Sequence, residues 1–318
     1  MPALMTPRNS IRFSAIRVLD GGMATELERR GEDISGPLWS AHVLDRSPTT
    51  IAAVHLDYLR AGADCISTAS YQVSARGYRE LDRDPADAAR ALLQAVEIAE
   101  QARAQYALEN PRRVWIAASL GPYGAALHNG AEYHGRYSIG FENLVAFHAE
   151  RLAVLAQRNA DLLALETIPS LEEAEALLRA LASFPALTAW IAFTCRDAAR
   201  VAHGEPLRVC AEVVAASTQV AAIGINCTAP RYIASLIAEA RLGCGDRKPV
   251  IVYPNSGETW EAATRSWCGD SDPSSYGALA HAWYVAGAQA VGGCCRTGPA
   301  HIAAVAEAAR AAAPAPSP

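Results

Sequence analysis

Eight short runs of β-branched and apolar residues recur along this chain, separated by longer stretches whose apolar positions repeat at helical spacing. That alternation constrains the fold more than any other feature. The runs are 16–20 (IRVLD), 64–69 (DCISTA), 113–120 (RVWIAASL), 161–167 (DLLALET), 187–194 (LTAWIAFT), 219–226 (QVAAIGIN), 249–255 (PVIVYPN) and 288–293 (AQAVGG). Between them, segments such as 86–107 and 171–184 are rich in Ala, Leu, Glu and Arg and read as amphipathic helices. Eight strand–helix units without an intervening Pro/Gly/Ser-rich linker predict an α/β protein, a (β/α)8 TIM barrel in a single domain. The competing architecture is a doubly wound open sheet. It is disfavoured because the glycines after the first run, in LDGGMATEL, lack the G-x-G-x-x-G dinucleotide spacing. The expected division is a flexible N-terminus over 1–13, the barrel over 14–311 and a flexible tail over 312–318.

With 318 residues, 51% of them hydrophobic, the chain has ample material for one large core. A net charge of −5 gives no electrostatic reason to expect nucleic acid or an anionic membrane as partner. No stretch approaches the ~20 apolar residues of a membrane span. The opening MPALMTPRNSIRFSAI lacks a basic segment followed by a long apolar one, so the cytoplasm is the expected location. The sequence gives no oligomeric state.

In barrels of this kind chemistry sits where strands end and the following loops begin. Asp20, Thr68, Ser119, Glu166, Thr194, Asn226 with Cys227, Asn255, and Cys294 with Cys295 all fall at such ends. Adjacent cysteines are poor disulfide partners. Cys294 and Cys295 close the eighth run and Cys227 closes the sixth, so a barrel would bring the three onto one rim. Three thiolates would suit Zn2+ and, with no fourth Cys or His in the same loops, would leave an open coordination position. Spacing alone leaves both this reading and buried, inert thiols open. Cys65, Cys195, Cys210 and Cys244 read as buried small side chains, and Cys268 as a loop residue, either a spare ligand or an exposed thiol. A zinc ion held by three thiolates is a poor activator of water but a good holder of a substrate thiol as thiolate. That chemistry is thiol alkylation at neutral pH. Thr297 or Gly298 is expected to cap a helix beginning near Pro299, its positive end toward the thiolates.

GGCCRT with the upstream GINC resembles the zinc signature of the homocysteine S-methyltransferase family. LDGGMATELERRG, LWSAHVL, VHLDYLRAGAD, STASYQ, GPYGAAL, GAEYHGRY, LLALETIP and VYPNSGE resemble its other blocks, from about residue 17 to residue 300. The likeness is to the bacterial and plant branch that uses S-methylmethionine or S-adenosylmethionine. It implies one Zn2+ per chain on Cys227, Cys294 and Cys295. The implied reaction is methyl transfer from a sulfonium donor to L-homocysteine, giving methionine. It further implies that Asp20 and Glu166 hold the substrate ammonium, and that backbone N–H groups of Gly21, Gly22 and Met23 meet its carboxylate. Asn226 and Asn255 fit either hydrogen bonds to substrate or turn formation. Trp39, Tyr71 and Tyr253 could cradle a sulfonium or simply pack. No catalytic residue is implied beyond the thiolate centre. Thr167 stands where some relatives carry a tyrosine able to complete the resting zinc sphere. The competing functions are a non-catalytic metal- or amino-acid-binding relative, a methyltransferase acting on selenocysteine or another thiol, and a zinc hydrolase on the same barrel.

Overall fold

The computed structural model describes residues 13–34, 40–158, 160–261, 266–268 and 271–312. Residues 1–12 and 313–318 and Trp39 lie outside it. Helices α1 (Met23–Arg29), α2 (Ser40–Arg46) and α3 (Pro48–Ala61) precede strand β1 (Cys65–Ser67). Then come α4 (Ala75–Arg79), α5 (Pro85–Glu109), β2 (Trp115–Leu120), α6 (Phe141–Leu155), β3 (Leu162–Ile168) and α7 (Leu171–Ala182). The chain continues through β4 (Ala189–Phe193), α8 (Leu207–Ala215), β5 (Val220–Asn226), α9 (Ile233–Cys244) and β6 (Val250–Tyr253). A two-stranded hairpin, β7 (Thr259–Glu261) and β8 (Ser266–Cys268), precedes α10 (Pro273–Val285), β9 (Ala288–Val291) and α11 (Pro299–Ala311).

Helix starts follow local chemistry. Asp84, Ser170 and Asp272 accept a hydrogen bond from the backbone N–H of Ala86, Glu173 and Ser275, fixing the starts of α5, α7 and α10. Seven strands pair in parallel in the order β1-β2-β3-β4-β5-β6-β9, and helices cover the outer face. The eighth expected strand, 16–20, forms no continuous ladder here, and the sheet has seven strands. It makes two isolated parallel bridges, Val18 to Val291 of β9 and Leu19 to Cys65 of β1, one to each edge of the sheet. Its regular ladder is interrupted because the backbone N–H groups of Arg17 and Val18 both donate to the Asp64 carboxylate, at 2.9 Å. The hairpin β7–β8 lies where a loop was expected, and it carries the backbone of Cys268.

Strand periodicity decides what reaches the inner face. Trp115, Ala117, Leu162, Ala164, Trp190, Ala192, Ala222, Ile251 and Tyr253 pack together there, two residues apart along each strand. Continuing each alternation toward the C-terminal end brings Ser119, Glu166, Thr194 and Asn226 onto the same face. Phe13, expected in the flexible terminus, instead belongs to this inner cluster. It is buried edge-to-face against Trp190, ring centroids 6.0 Å apart, so residue 13 belongs to the packed fold. Among the described residues, no helix is long and apolar enough to cross a membrane.

Candidate metal centre and substrate cavity

A cavity of about 130 Å3 opens at the C-terminal ends of the strands. All nine residues expected at the site line it: Asp20, Gly21, Gly22, Met23, Glu166, Asn226, Cys227, Cys294 and Cys295. The three sulfurs lie within 4.8 Å of one another, and Cys227 Sγ is 3.6 Å from Cys295 Sγ. A tetrahedral ion with metal–sulfur bonds of about 2.3 Å needs sulfurs about 3.8 Å apart, so this spacing fits a soft metal ion. Among the described residues this is the one group of three or more His, Cys, Asp or Glu side chains so clustered. Its thiols are not equivalent. Hydrogen bonds from Cys227 and Cys294 hold the Cys295 thiol well below the usual range, and bonding to Cys227 and Cys295 pushes Cys294 up. Cys65, Cys195, Cys210 and Cys244 are buried away from this group, as expected.

The cysteine turn is stitched into the fold through its backbone. Cys294 N–H donates to Pro254 O at 2.8 Å, Ser256 N–H to Cys295 O at 3.0 Å, and Gly293 N–H to Asp20 O at 2.9 Å. The close approach requires glycine. A Cβ on Gly22 would lie 2.6 Å from Cys294 O, and one on Gly293 would lie 2.3 Å from Thr297 Oγ1. Gly22 N–H donates to Thr297 O at 3.0 Å, so this donor, expected to face a substrate carboxylate, ties the two loops together instead. Gly298 caps α11 with Pro299 at its first position, as the sequence suggested. Cys227 and Arg296, the residue after Cys295, adopt positive φ of 47° and 67°, so backbone strain sits at both cysteine loops.

Asp20 and Glu166 are the two cavity carboxylates that the sequence singled out. Ser67 N–H donates to Asp20 Oδ2 at 2.6 Å and its hydroxyl to Oδ1 at 3.2 Å. Glu166 accepts from the Ser119 hydroxyl and from Tyr253, whose oxygen in turn accepts from Trp190 Nε1 at 2.9 Å. Burial pushes the Asp20 carboxyl to about 8, the Ser67 N–H opposing and the Glu166 charge adding. Burial likewise lifts Glu166 to about 7, against the bonds from Ser119 and Tyr253. Such a pair resists ionisation until a cation arrives.

Asn226 proves to have a structural task. Its Oδ1 accepts from Thr167 N–H at 2.8 Å and its Nδ2 donates to Thr167 Oγ1 at 2.9 Å. Thr167 has φ +62°, unusual for a β-branched residue, and the Asn226 clamp holds it there beside Glu166. Asn255 lies off the cavity wall, its N–H bonded to Thr228 O at 3.1 Å. Thr194 donates to Cys227 O at 3.2 Å, and Thr68 accepts from Ser119 N–H at 3.0 Å, so these rim hydroxyls brace the backbone. Tyr71 and Tyr253 both line the cavity. Sequence reasoning assigned nothing to Ser67, Glu132 or Tyr133. Tyr133 sits on the loop after β2 and its hydroxyl lies 3.5 Å from Cys227 Sγ. Its only signal was its place inside GAEYHGRY.

Fold and site together define an α/β protein that gathers three thiols and two carboxylates at the C-terminal end of a parallel sheet. The sequence pattern of the homocysteine S-methyltransferase family matches residues 17–309, and the chain belongs to that family. It is 45% identical over 299 residues to the homocysteine S-methyltransferase YbgG of Bacillus subtilis, covering 92% of this chain and 94% of that one. It is 43% identical to the homocysteine S-methyltransferase of Escherichia coli, covering 91% and 94%. The crystal structure of the homocysteine methyltransferase MmuM from Escherichia coli in its metallated form superposes with a TM-score of 0.79 at 41% identity, covering 92% of this chain and 96% of that one.

Proposed function

We propose that this protein transfers a methyl group from a sulfonium donor, S-methylmethionine or S-adenosylmethionine, to the thiol of L-homocysteine, giving methionine, with one Zn2+ on Cys227, Cys294 and Cys295. The observation that carries this reading is that the three converging sulfurs share one small cavity with Asp20 and Glu166. The ion, when bound, supplies the acidity that keeps a substrate thiol ionised at neutral pH. Asp20 and Glu166 take the homocysteine ammonium. Each is oriented from behind, by Ser67 and by Ser119 with Tyr253, and each gives up its proton more readily once the cation neutralises the pair. Backbone N–H groups of Gly21 and Met23 are the donors for the substrate carboxylate. Methyl transfer is an in-line displacement. The homocysteine sulfur forms a bond to the methyl carbon as the donor S–CH3 bond breaks, and the departing thioether keeps the electron pair. No proton moves to or from carbon, so no general base is assigned, and alignment within the cavity does the rest.

The fold reading completes this picture. Val18 and Leu19 bridge both edges of the seven-stranded sheet, which supports residues 16–20 as the eighth strand of a closed (β/α)8 barrel. Reduced thiols suit the cytoplasm. The test is zinc content measured beside methionine formation, on protein purified under reductant, with S-methylmethionine, S-adenosylmethionine and betaine offered separately. One zinc per chain, lost together with activity in Cys294→Ala, supports the proposal. Stoichiometric zinc with no turnover from any donor would make the chain a binding relative. Turnover with selenocysteine alone would change the acceptor.

A further inference from the structure

The cavity contains a third carboxylate that the reading above does not use. Glu132 lies on the loop between β2 and α6, is only 6% exposed, and lines the cavity with Asp20 and Glu166. Asp20 and Glu166 have hydroxyl and N–H partners, but the Glu132 Oε2 is buried without a hydrogen-bond partner, and no cation of the described residues pairs with it. The side chain takes its own backbone N–H, but a carboxylate oxygen left buried without a partner is costly to keep, so the missing partner is to be sought outside the chain. Glu132 shares the cavity wall with Cys227, Cys294 and Cys295; burial raises its pKa, its own N–H opposing and the charge of Cys295 adding.

The loop that carries it is firmly held. Behind the loop, Glu173 accepts from Tyr123 N–H at 2.6 Å, from His148 Nε2 at 3.0 Å and from the Tyr137 hydroxyl. Arg151 donates to His148 Nδ1 at 2.7 Å and to Gly121 O at 2.9 Å. Burial keeps His148 neutral and lifts Glu173 to about 8, so this is a hydrogen-bonded neutral pair with one cation beside it. Gly124 lets the backbone of residue 132 come close, since a Cβ there would lie 2.5 Å from Glu132 N. The inward aim of Glu132 is therefore built into the loop.

Resting on the methyl-transfer reading, we propose that Glu132 receives the positive charge of the methyl donor, while Asp20 and Glu166 serve the homocysteine ammonium. S-methylmethionine carries two cations, its sulfonium and its α-ammonium, and a lone carboxylate beside the sulfur cluster suits such a ligand. It makes Glu132 a donor-binding residue and adds no chemical step.

The test is Glu132→Gln, with Glu132→Asp beside it, in steady-state kinetics with each substrate varied in turn. The KM for S-methylmethionine is expected to rise about 10- to 100-fold in Glu132→Gln, the range for losing a hydrogen bond to a charged group. The KM for homocysteine should stay within about twofold, and Glu132→Asp should recover part of the loss. Dimethylsulfoniopropionate, a sulfonium without an α-ammonium, is then used as a competitive inhibitor. A weaker inhibition constant in Glu132→Gln assigns the sulfonium to Glu132, and an unchanged one assigns the α-ammonium. An unchanged KM for S-methylmethionine, or an equal rise for both substrates, overturns the proposal. Calorimetric binding of S-methylmethionine to wild type and Glu132→Gln reads the same contrast without turnover. A wild type that makes no methionine would thus reject methyl transfer and still leave the role of Glu132 decided.

Discussion

Replacing Asp20 by Asn tests the electrostatics of the inner site through stability alone. Asp20 is buried at the end of the 16–20 segment, and burial moves its carboxyl from an ordinary 3.8 to about 8. Between those values the folded chain keeps the proton and the unfolded chain has lost it. Stability from this group is therefore complete below 3.8 and falls as pH rises toward about 8, by about 1.4 kcal/mol per pH unit for one proton. Between pH 5 and pH 7 the wild type should lose about 2.7 kcal/mol relative to Asp20→Asn, which has no proton to release. The difference should level off above pH 8. Urea unfolding of both proteins at pH 5, 6, 7 and 8, in one metal state and followed by far-UV circular dichroism, measures it. Saturating homocysteine should flatten the wild-type slope, because an ammonium favours the ionised carboxylate. Parallel curves for the two proteins would refute the reasoning: Asp20 would then be ionised throughout, its bonds from Ser67 outweighing its burial.

Two further substitutions probe the supports of the site. Asn226→Ala strands the buried Thr167 N–H and should cost about 1–3 kcal/mol in chemical denaturation; a loss below about 0.5 kcal/mol would show that Thr167 holds its left-handed backbone without the clamp. Glu173→Ala removes the acceptor for Tyr123 N–H, His148 and Tyr137 at once and should cost about 1–3 kcal/mol for each group left stranded, with raised protease cleavage in the loop after β2. Unchanged cleavage would mean that the loop is anchored elsewhere.

Much of this arrangement was legible because strand periodicity is strict. Runs such as RVWIAASL and DLLALET alternate small or large inner residues with outer ones, so Ser119 and Glu166 fall at inner positions by counting in twos. The convergence of Cys227 with Cys294 and Cys295 followed from parallel order, since only β6 separates β5 from β9. What escaped depends on contacts that no period encodes. The 16–20 run has strand composition, but the distant Asp64 carboxylate takes two of its backbone donors. Thr167 gives no hint of a positive φ, because the residue type disfavours it and the Asn226 clamp that sustains it lies two strands away. Glu132 and Tyr133 ride on a loop held by Glu173 and Arg151, residues of the following helices α7 and α6.

The most direct measurement of the central claim is zinc K-edge X-ray absorption on the zinc-loaded protein, with and without L-homocysteine. Three protein thiolates that receive a substrate thiol predict three sulfur neighbours at about 2.3 Å in the free protein and four once homocysteine is added. A sulfur count that does not change on adding saturating homocysteine, or a shell dominated by nitrogen and oxygen, would contradict it.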